Sequence, residues 1–424
     1  MNADPRMDFS QRLQLQSVLH EALQGLSVSP PPALLQPEPI YRRRRLGMRR
    51  PEALATLALV EDTRGILRLR EEGVAGGMES VQRRAARLGR GGDETVIDRV
   101  PFQRLQKDQV RGALEALDAK LTPHQGIRRL QNGMLQPLKA QDLQGRILLL
   151  VHGTFSNTDN LLFEGIAKAG NGAQFLADVQ GHYDHVLSFD HPTLSVDPVV
   201  NARQLAVLLN GAPKQVDIVC HSRGGLVTRW FVEAMERDPT RVGRVVYVGS
   251  PLAGTSLAAA PSLRSALDLL ANIGKALGAV SAAVPFLSVA TGLFQVFTSV
   301  SRFLAKTPVA DAAIALVPGL RAQSRVSNNH ELQALRLRFD DLRGREFVKD
   351  RYFMVQSNFE PKDPGWHFWK YFRGLKMRAA DLGADAIFTD EQRNPIRNDL
   401  VVDVPSMTDL HDGGILVPKT QICD

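Results

Sequence analysis

Short apolar runs that end in small polar residues constrain the fold of this chain more than any other feature. The run ILLLV at 147–151 is followed at once by His-Gly, and VDIVC at 216–220 is followed by His-Ser. The first run is typical of a strand buried on both faces, as in a parallel sheet. Segments with helical periodicity lie at 198–211 and 224–238. The same patterns predict further strands at 185–191, 243–251 and 351–357. Strands that alternate with helices predict a doubly wound, mostly parallel α/β sheet.

The residues before 141 lack this alternation. Residues 1–50 are polar and Pro-rich, which predicts a flexible arm. Residues 51–140 predict a small accessory region, whose clearest feature is a pair of short strands within 55–73. Residues 141–424 then form the α/β domain. The chain has two cysteines and its first residues contain no apolar signal region, so we expect a cytoplasmic protein.

The chain is basic, with a net charge of +7 and the run YRRRRLGMRR at 41–50. Such a run attracts anionic surfaces and nucleic acid. It has no aromatic platform beyond Tyr41 and no nucleic-acid-binding fold signature. We therefore expect no nucleic-acid partner. A solvated arm and a peripheral membrane contact both stay open.

Residues 255–320 interrupt the alternation of strands and helices. They are rich in Ala, Leu and Val, and 276–301 contains no charged residue. The length would allow a membrane span, but Pro285, Gln295 and the position between two strands of one sheet argue against it. We expect a helical cap over an apolar substrate. A lid that touches the membrane interface is the alternative.

The stretch VCHSRGG at 219–225 places Ser222 between a strand and a helix. This is the context of a nucleophile elbow, in which a tight turn projects the serine from the carboxyl edge of the sheet. The next backbone N–H, that of Arg223, then points at the developing oxyanion. Cys220 stands where glycine is usual, and it is small enough for the turn. The alternative is a serine that only caps the following helix.

At these motifs the chain resembles the α/β-hydrolase superfamily, in its lipase- and esterase-like branch. The resemblance covers roughly 145–424 and is carried by VHGTFSN, VCHSRGG, VGSPLAGTS, LVPGLRAQS and RNDLVVDVPSM. By position it implies a nucleophile, a triad acid and an oxyanion site: Ser222, Asp399, and Gly153 and Thr154 with Arg223. Leu400 replaces the glycine that usually follows the acid. We interpret His152 as a structural histidine that holds the oxyanion loop. These motifs are more specific for the fold than for the substrate.

The chemistry needs a base on the serine and a carboxylate that orients the base. Asp399 is the favoured acid, with Glu360 and Asp363 as rivals closer to the preceding strand. In this fold the order along the chain is serine, acid, histidine. His411 is the one histidine after Asp399, and it precedes the last strand candidate at 414–422.

Two interpretations of the base stay open. Either His411 serves Ser222, or the base-bearing loop is absent from this chain. His191 and His330 are the remaining candidates. The chain has no CxxC or HExxH motif, and the mechanism needs neither a metal nor another cofactor.

The sequence therefore predicts a serine hydrolase, esterase- or lipase-like, that cleaves lipid-like or acyl carboxylic esters through an acyl-enzyme. The alternative is a catalytically weak or inactive α/β-hydrolase-like module that binds a partner or a membrane.

Overall fold

The structure is a computed structural model. It describes residues 12, 13, 16, 55–61, 67–72, 95–102, 105, 109–138, 143–168, 170–210, 215–258, 293, 294, 317–325, 329–339, 350–357, 397, 401–411 and 417–423. The chain divides into two compact units. The smaller unit is Met1–Ala113 with Leu267–Val309, and the larger is Leu114–Ala266 with Ala310–Asp424.

The smaller unit contains a three-stranded antiparallel sheet in the order β2-β1-β3. Its strands are β1 (Ala55–Glu61), β2 (Leu67–Glu72) and β3 (Thr95–Phe102). The predicted pair of short strands within 55–73 is β1 and β2, paired from Thr56 opposite Glu72 to Glu61 opposite Leu67. The side chains of β1 are buried from Leu57 to Val60, so both faces of this central strand are covered.

The larger unit is built on an eight-stranded sheet in the order β11-β10-β9-β8-β6-β7-β4-β5. Its strands are β4 (Gly126–Gln131), β5 (Met134–Pro137), β6 (Arg146–Val151), β7 (His185–Asp190), β8 (Gln215–His221), β9 (Val242–Val248), β10 (Tyr352–Val355) and β11 (Ile422–Cys423). The six strands β6 to β11 pair in parallel, whereas β4 pairs antiparallel with both β5 and β7. The predicted α/β class with a mostly parallel sheet is confirmed.

Helices connect these strands. They are α1 (Gln109–Leu121), α2 (Gly172–His182), α3 (Pro198–Leu208), α4 (Gly224–Arg229), α5 (Pro318–Arg321) and α6 (His330–Phe339). The described residues also form two π-helical segments, Asn160–Ile166 and Trp230–Met235, and four 3₁₀ turns: Pro239–Arg241, Ser256–Ala258, Val404–Met407 and Lys419–Gln421. The predicted helix at 224–238 is thus α-helical only to Arg229. No helix in the described part of the chain has the length and apolar character needed to cross a membrane.

The central strands lie in the core for the reason that the sequence indicates. Every side chain from Ile147 to Val151 is buried, because β6 is covered on both faces. Residues of α3 and α4, among them Leu205 and Val227, belong to the same apolar cluster as β6. Burial of such aliphatic side chains stabilises the fold by about 1.5–3 kcal/mol each.

The larger unit begins before residue 141, where the sequence analysis placed its start. Asn132 and Gly133 have φ of 52° and 74°, and this turn folds β5 back onto β4. The β4–β5 hairpin therefore extends the large sheet and is not part of an accessory region. Most of the predicted cap at 255–320 lies outside the described residues. The predicted last strand is shorter than expected, since β11 covers only Ile422 and Cys423.

Candidate active site

Ser222 occupies the turn between β8 and α4, at the carboxyl end of the sheet. Its φ is +52°, a left-handed value that is uncommon for a residue with a side chain. The turn is fixed because Ser222 N donates to Val248 O at 2.9 Å, and Gly225 N donates to Ser222 O at 2.9 Å. A strained non-glycine residue between a strand and a helix has the backbone form of a nucleophile elbow.

Cys220 fits at the position where glycine is usual in such a turn. Its side chain is fully buried in the sheet core, and its thiol donates to Val246 O at 3.3 Å. Burial raises the pKa of Cys220 to about 12, so the thiol is protonated at neutral pH. Cys220 is therefore no rival nucleophile to Ser222.

Three glycines allow the elbow to pack closely on its neighbours. A Cβ at Gly153 would lie 2.7 Å from Ser222 Cβ, and one at Gly225 would lie 2.4 Å from Ser250 Oγ. A Cβ at Gly224 would lie 2.6 Å from Val151 O and 2.7 Å from His152 O. The start of α4 thus lies directly against the end of β6.

We expect Gly224→Ala to lower the free energy of unfolding by about 1–3 kcal/mol, because rigid backbone oxygens must move to admit the methyl group. Turnover per folded molecule should fall as well, since Ser222 would shift. Gly181→Ala, in helix α2 with no atom within 4 Å of the added Cβ, is the matched control. It should stabilise the protein by about 0.4–1 kcal/mol. Equal denaturation midpoints for the two variants would contradict the packing described here.

The backbone N–H groups predicted to bind an oxyanion come from Thr154 and Arg223. The described residues offer no hydrogen-bond acceptor to either N–H group. Gly153 and Ser222 are in van der Waals contact, so the turn that carries Thr154 lies beside the serine. Donors held in place without a partner are what an oxyanion site requires.

The side chain of Arg223 is fully buried behind the elbow. Its Nη2 donates to Val196 O at 2.5 Å, in the loop that follows β7. Burial lowers the pKa of Arg223 to about 10, so the guanidinium keeps its charge at neutral pH. Arg223 therefore links the elbow to the loop after β7.

His152 has the structural role that the sequence analysis assigned to it. Because His191 N donates to His152 Nε2 at 3.1 Å, the proton of the neutral ring is on Nδ1, which donates to Gly153 O at 2.9 Å. Burial lowers the pKa of His152, which keeps this ring neutral. His152 thus orients the residue that contacts Ser222.

His191, one of the remaining candidates for the base, is fully buried. Its ring stacks on His152 with 4.1 Å between ring centroids. Burial takes the pKa of His191 well below its ordinary value, which disfavours the charged form that a base must adopt. His330, the other candidate, is exposed at the start of α6, where Nδ1 lies 3.3 Å from Gln333 Oε1.

Asp118, on helix α1, holds the loop after β7. Its carboxylate is 1% exposed and accepts hydrogen bonds from Thr193 N at 2.7 Å, Leu194 N at 3.0 Å and Ser195 N at 2.7 Å. Ser195 Oγ donates to the same carboxylate at 2.6 Å. This loop is the one that Arg223 also contacts, so Asp118 fixes one wall of the site.

Asp399 lies outside the described residues, but the segment that follows it contacts the loop after β9. Thr255 Oγ1 donates to Val401 O at 2.5 Å, and Ser256 N donates to Asp403 Oδ2 at 3.0 Å. Burial raises the pKa of Asp403, and its hydrogen bonds to Ser256 offset part of that shift. The loop after β9, next to the strand of Ser222, therefore anchors residues 401–403.

His411 is buried, and its ring stacks on Phe339 with 5.6 Å between ring centroids. The preceding carbonyl, Leu410 O, accepts from Arg229 Nη2 at 3.2 Å. The structure thus brings Gly153 and Arg223 to the nucleophile candidate and places His411 beside Phe339. The pairing of Ser222 with His411 and Asp399 stays a prediction.

Two residues that shape this site, Asp118 and Gln323, were not predicted from the sequence. Gln323 is buried and accepts a hydrogen bond from Thr154 Oγ1 at 2.9 Å. It lies in the stretch LVPGLRAQS, whose resemblance to lipases was its only signal. In the described part of the chain, no group of three or more His, Cys, Asp or Glu side chains is placed to hold a metal ion.

The family DUF7379, a domain of unknown function, matches residues 118–421. A comparison with curated proteins finds no matching sequence. The match covers the large sheet from β4 to β10, ends just before β11, and includes Ser222.

Several solved lipase structures are similar to this chain. The mature lipase BlEst2 of Bacillus licheniformis is 15% identical, over 70% of this chain and 90% of that chain, with a TM-score of 0.34. Lipase 1 of Pelosinus fermentans is 14% identical, over 64% and 85%, with a TM-score of 0.37. The Staphylococcus hyicus lipase is 13% identical, over 63% and 80%, with a TM-score of 0.34. The fold class rests on the sheet order rather than on these similarities.

Proposed function

We propose that this chain, which belongs to the DUF7379 family, is a serine hydrolase that cleaves carboxylic esters. The observation that carries the proposal is the left-handed Ser222 at the end of β8, with φ of +52°. A serine that only caps a helix does not need this strained conformation, whereas a nucleophile elbow does. The backbone N–H groups of Thr154 and Arg223 support the same conclusion, since the described residues leave them without an acceptor.

In the proposed reaction, Ser222 Oγ attacks the ester carbonyl carbon while a base takes the hydroxyl proton. The carbonyl oxygen becomes an oxyanion, which the N–H groups of Thr154 and Arg223 stabilise. The same proton then passes to the leaving alcohol, and an acyl-enzyme remains on Ser222. A water molecule, deprotonated by the base, attacks the acyl carbon, and the base returns that proton to Ser222 Oγ as the acyl–oxygen bond breaks and the carboxylic acid leaves.

We assign the base to His411 and the orienting acid to Asp399. The anchoring of residues 401–403 on the loop after β9 supports an acid at the carboxyl edge of the sheet. We assign the substrates to lipid-like or acyl esters because 276–301, within the predicted cap, is free of charge. A long acyl chain gains about 0.8 kcal/mol for each methylene that such a surface buries.

A fluorophosphonate probe tests the proposal without knowledge of the natural substrate. The probe reacts only with an activated serine, so we expect a covalent adduct on the peptide that contains Ser222, located by mass spectrometry. Heat-denatured protein is the control, because unfolding separates the base from the serine. Absence of an adduct on the folded protein would favour the non-catalytic binding module.

A further inference from the structure

Residues 317–325 lie where three loops of the site meet. Gly319 N donates to Leu194 O at 3.0 Å, in the loop after β7. Thr255 N, in the loop after β9, donates to Gln323 O at 2.8 Å. Thr154, in the turn after β6, donates its hydroxyl to Gln323 Oε1 at 2.9 Å. One short segment thus contacts the loops that follow three parallel strands of the large sheet, β6, β7 and β9.

The side-chain amide of Gln323 has one allowed orientation. Gly319 O accepts a hydrogen bond at 2.7 Å, and a carbonyl cannot donate, so this end of the amide must be the Nε2 group. The other end is then Oε1, which can only accept a hydrogen bond, so the Thr154 hydroxyl must be the donor. Gln323 is 4% exposed, so its amide is largely shielded from water, and Thr154 is half-buried beside it.

Close packing further restricts the movement of residues 317–325. A Cβ at Gly319 would lie 1.8 Å from Thr193 O, and a Cβ at Gly254 would lie 2.3 Å from Ser324 O. Asn329 Nδ2 donates to Ala322 O at 2.8 Å and to Ser324 O at 3.1 Å. Contacts to the neighbouring backbone therefore hold Gln323 in place, in addition to the hydrogen bonds of its side chain.

We propose that Gln323 is a positioning residue for the oxyanion site, acting through the hydroxyl of Thr154. By fixing the Thr154 side chain, it fixes the backbone N–H of the same residue beside Ser222. Oxyanion donors stabilise a transition state because they are aligned before the reaction starts, and supporting residues keep them aligned. This inference rests on the proposed esterase function.

The test compares kcat and KM for Thr154→Val, Gln323→Met and the double variant on a short p-nitrophenyl ester. Both single changes keep the side-chain size and remove the hydrogen bond between Thr154 and Gln323, and Gln323→Met also removes the bond to Gly319 O. We expect each to lower kcat about 10–100-fold with KM within about twofold, because a small misplacement of a catalytic group has this cost. The kcat of the double variant should be no lower than that of the poorer single variant. Once either change has removed the hydrogen bond between Thr154 and Gln323, the other cannot remove it again.

Two further variants separate positioning from folding. Thr154→Ser keeps the hydroxyl and should lose much less kcat than Thr154→Val. Ser324→Ala, which removes only a bond from Ser324 Oγ to Arg321 O, should match the wild type. Active-site titration with the fluorophosphonate normalises every kcat to folded enzyme. Should Gln323→Met fail to fold, the comparison of Thr154→Val with Thr154→Ser carries the test.

Wild-type kcat in the Gln323→Met and Thr154→Val variants would overturn the inference and leave the proposed function standing. Fully additive losses in the double variant would overturn it as well. If the wild-type chain neither hydrolyses esters nor reacts with the fluorophosphonate, the proposed function and the inference both fail.

Discussion

Ser222→Ala is expected to reduce hydrolysis of a short p-nitrophenyl ester by on the order of 10⁴–10⁶-fold, since removing the nucleophile removes the covalent path. The fold should survive, because the change removes one hydroxyl and leaves the backbone hydrogen bonds of the turn in place. Steady-state turnover and circular dichroism of the same sample check both parts. Residual turnover close to the wild-type rate would exclude Ser222 as the nucleophile.

The same assay decides the identity of the base. Members of a triad act as a unit, so His411→Ala should lose nearly as much turnover as Ser222→Ala. His330→Ala is the matched control, because this histidine is exposed on α6, where its Nδ1 lies 3.3 Å from Gln333 Oε1. A His411→Ala variant with normal turnover would remove His411 from the mechanism and leave the role of Ser222 untouched.

Asp118→Ala should produce the largest loss of stability in the larger unit, about 3–5 kcal/mol. The change leaves the backbone N–H groups of Thr193, Leu194 and Ser195 buried without an acceptor, and each such group costs about 1–3 kcal/mol. Urea unfolding followed by tryptophan fluorescence checks this, since Trp230 lies in the larger unit.

The control for this measurement is Asp178→Ala, which removes an exposed carboxylate from helix α2. Its effect should stay within about 0.5 kcal/mol. A loss below about 1 kcal/mol for Asp118→Ala would mean that water replaces the carboxylate, and that the loop after β7 does not depend on it.

The sequence predicts the centre of the large sheet well because local patterns determine it. The run ILLLV becomes β6, and the strand-to-helix context around Ser222 becomes a turn with φ of +52°. The hairpin of β4 and β5 was missed, although Asn132-Gly133 is the strongest short-range hairpin signal. That signal lies outside the alternating strands and helices on which the domain boundary was based.

The supporting residues of the site could not be predicted in the same way. Asp118 accepts a hydrogen bond from a backbone N–H 75 residues away, and Gln323 accepts one from a hydroxyl 169 positions earlier. No periodicity or spacing relates such distant positions, since only the tertiary fold brings them together. In the sequence, Asp118 looks like an ordinary polar residue of an amphipathic helix. Only the structure shows that it accepts hydrogen bonds from the loop after β7.

Because the backbone at Ser222 is left-handed, selection for stability and selection for activity should favour different residues at this position. Glycine adopts a φ of +52° without the cost of roughly 1–2 kcal/mol that a Cβ brings. A library selected only for heat resistance should therefore enrich glycine at position 222, whereas selection for ester hydrolysis should retain serine. The residue found at position 222 then shows whether a selection has acted on thermal stability or on ester hydrolysis.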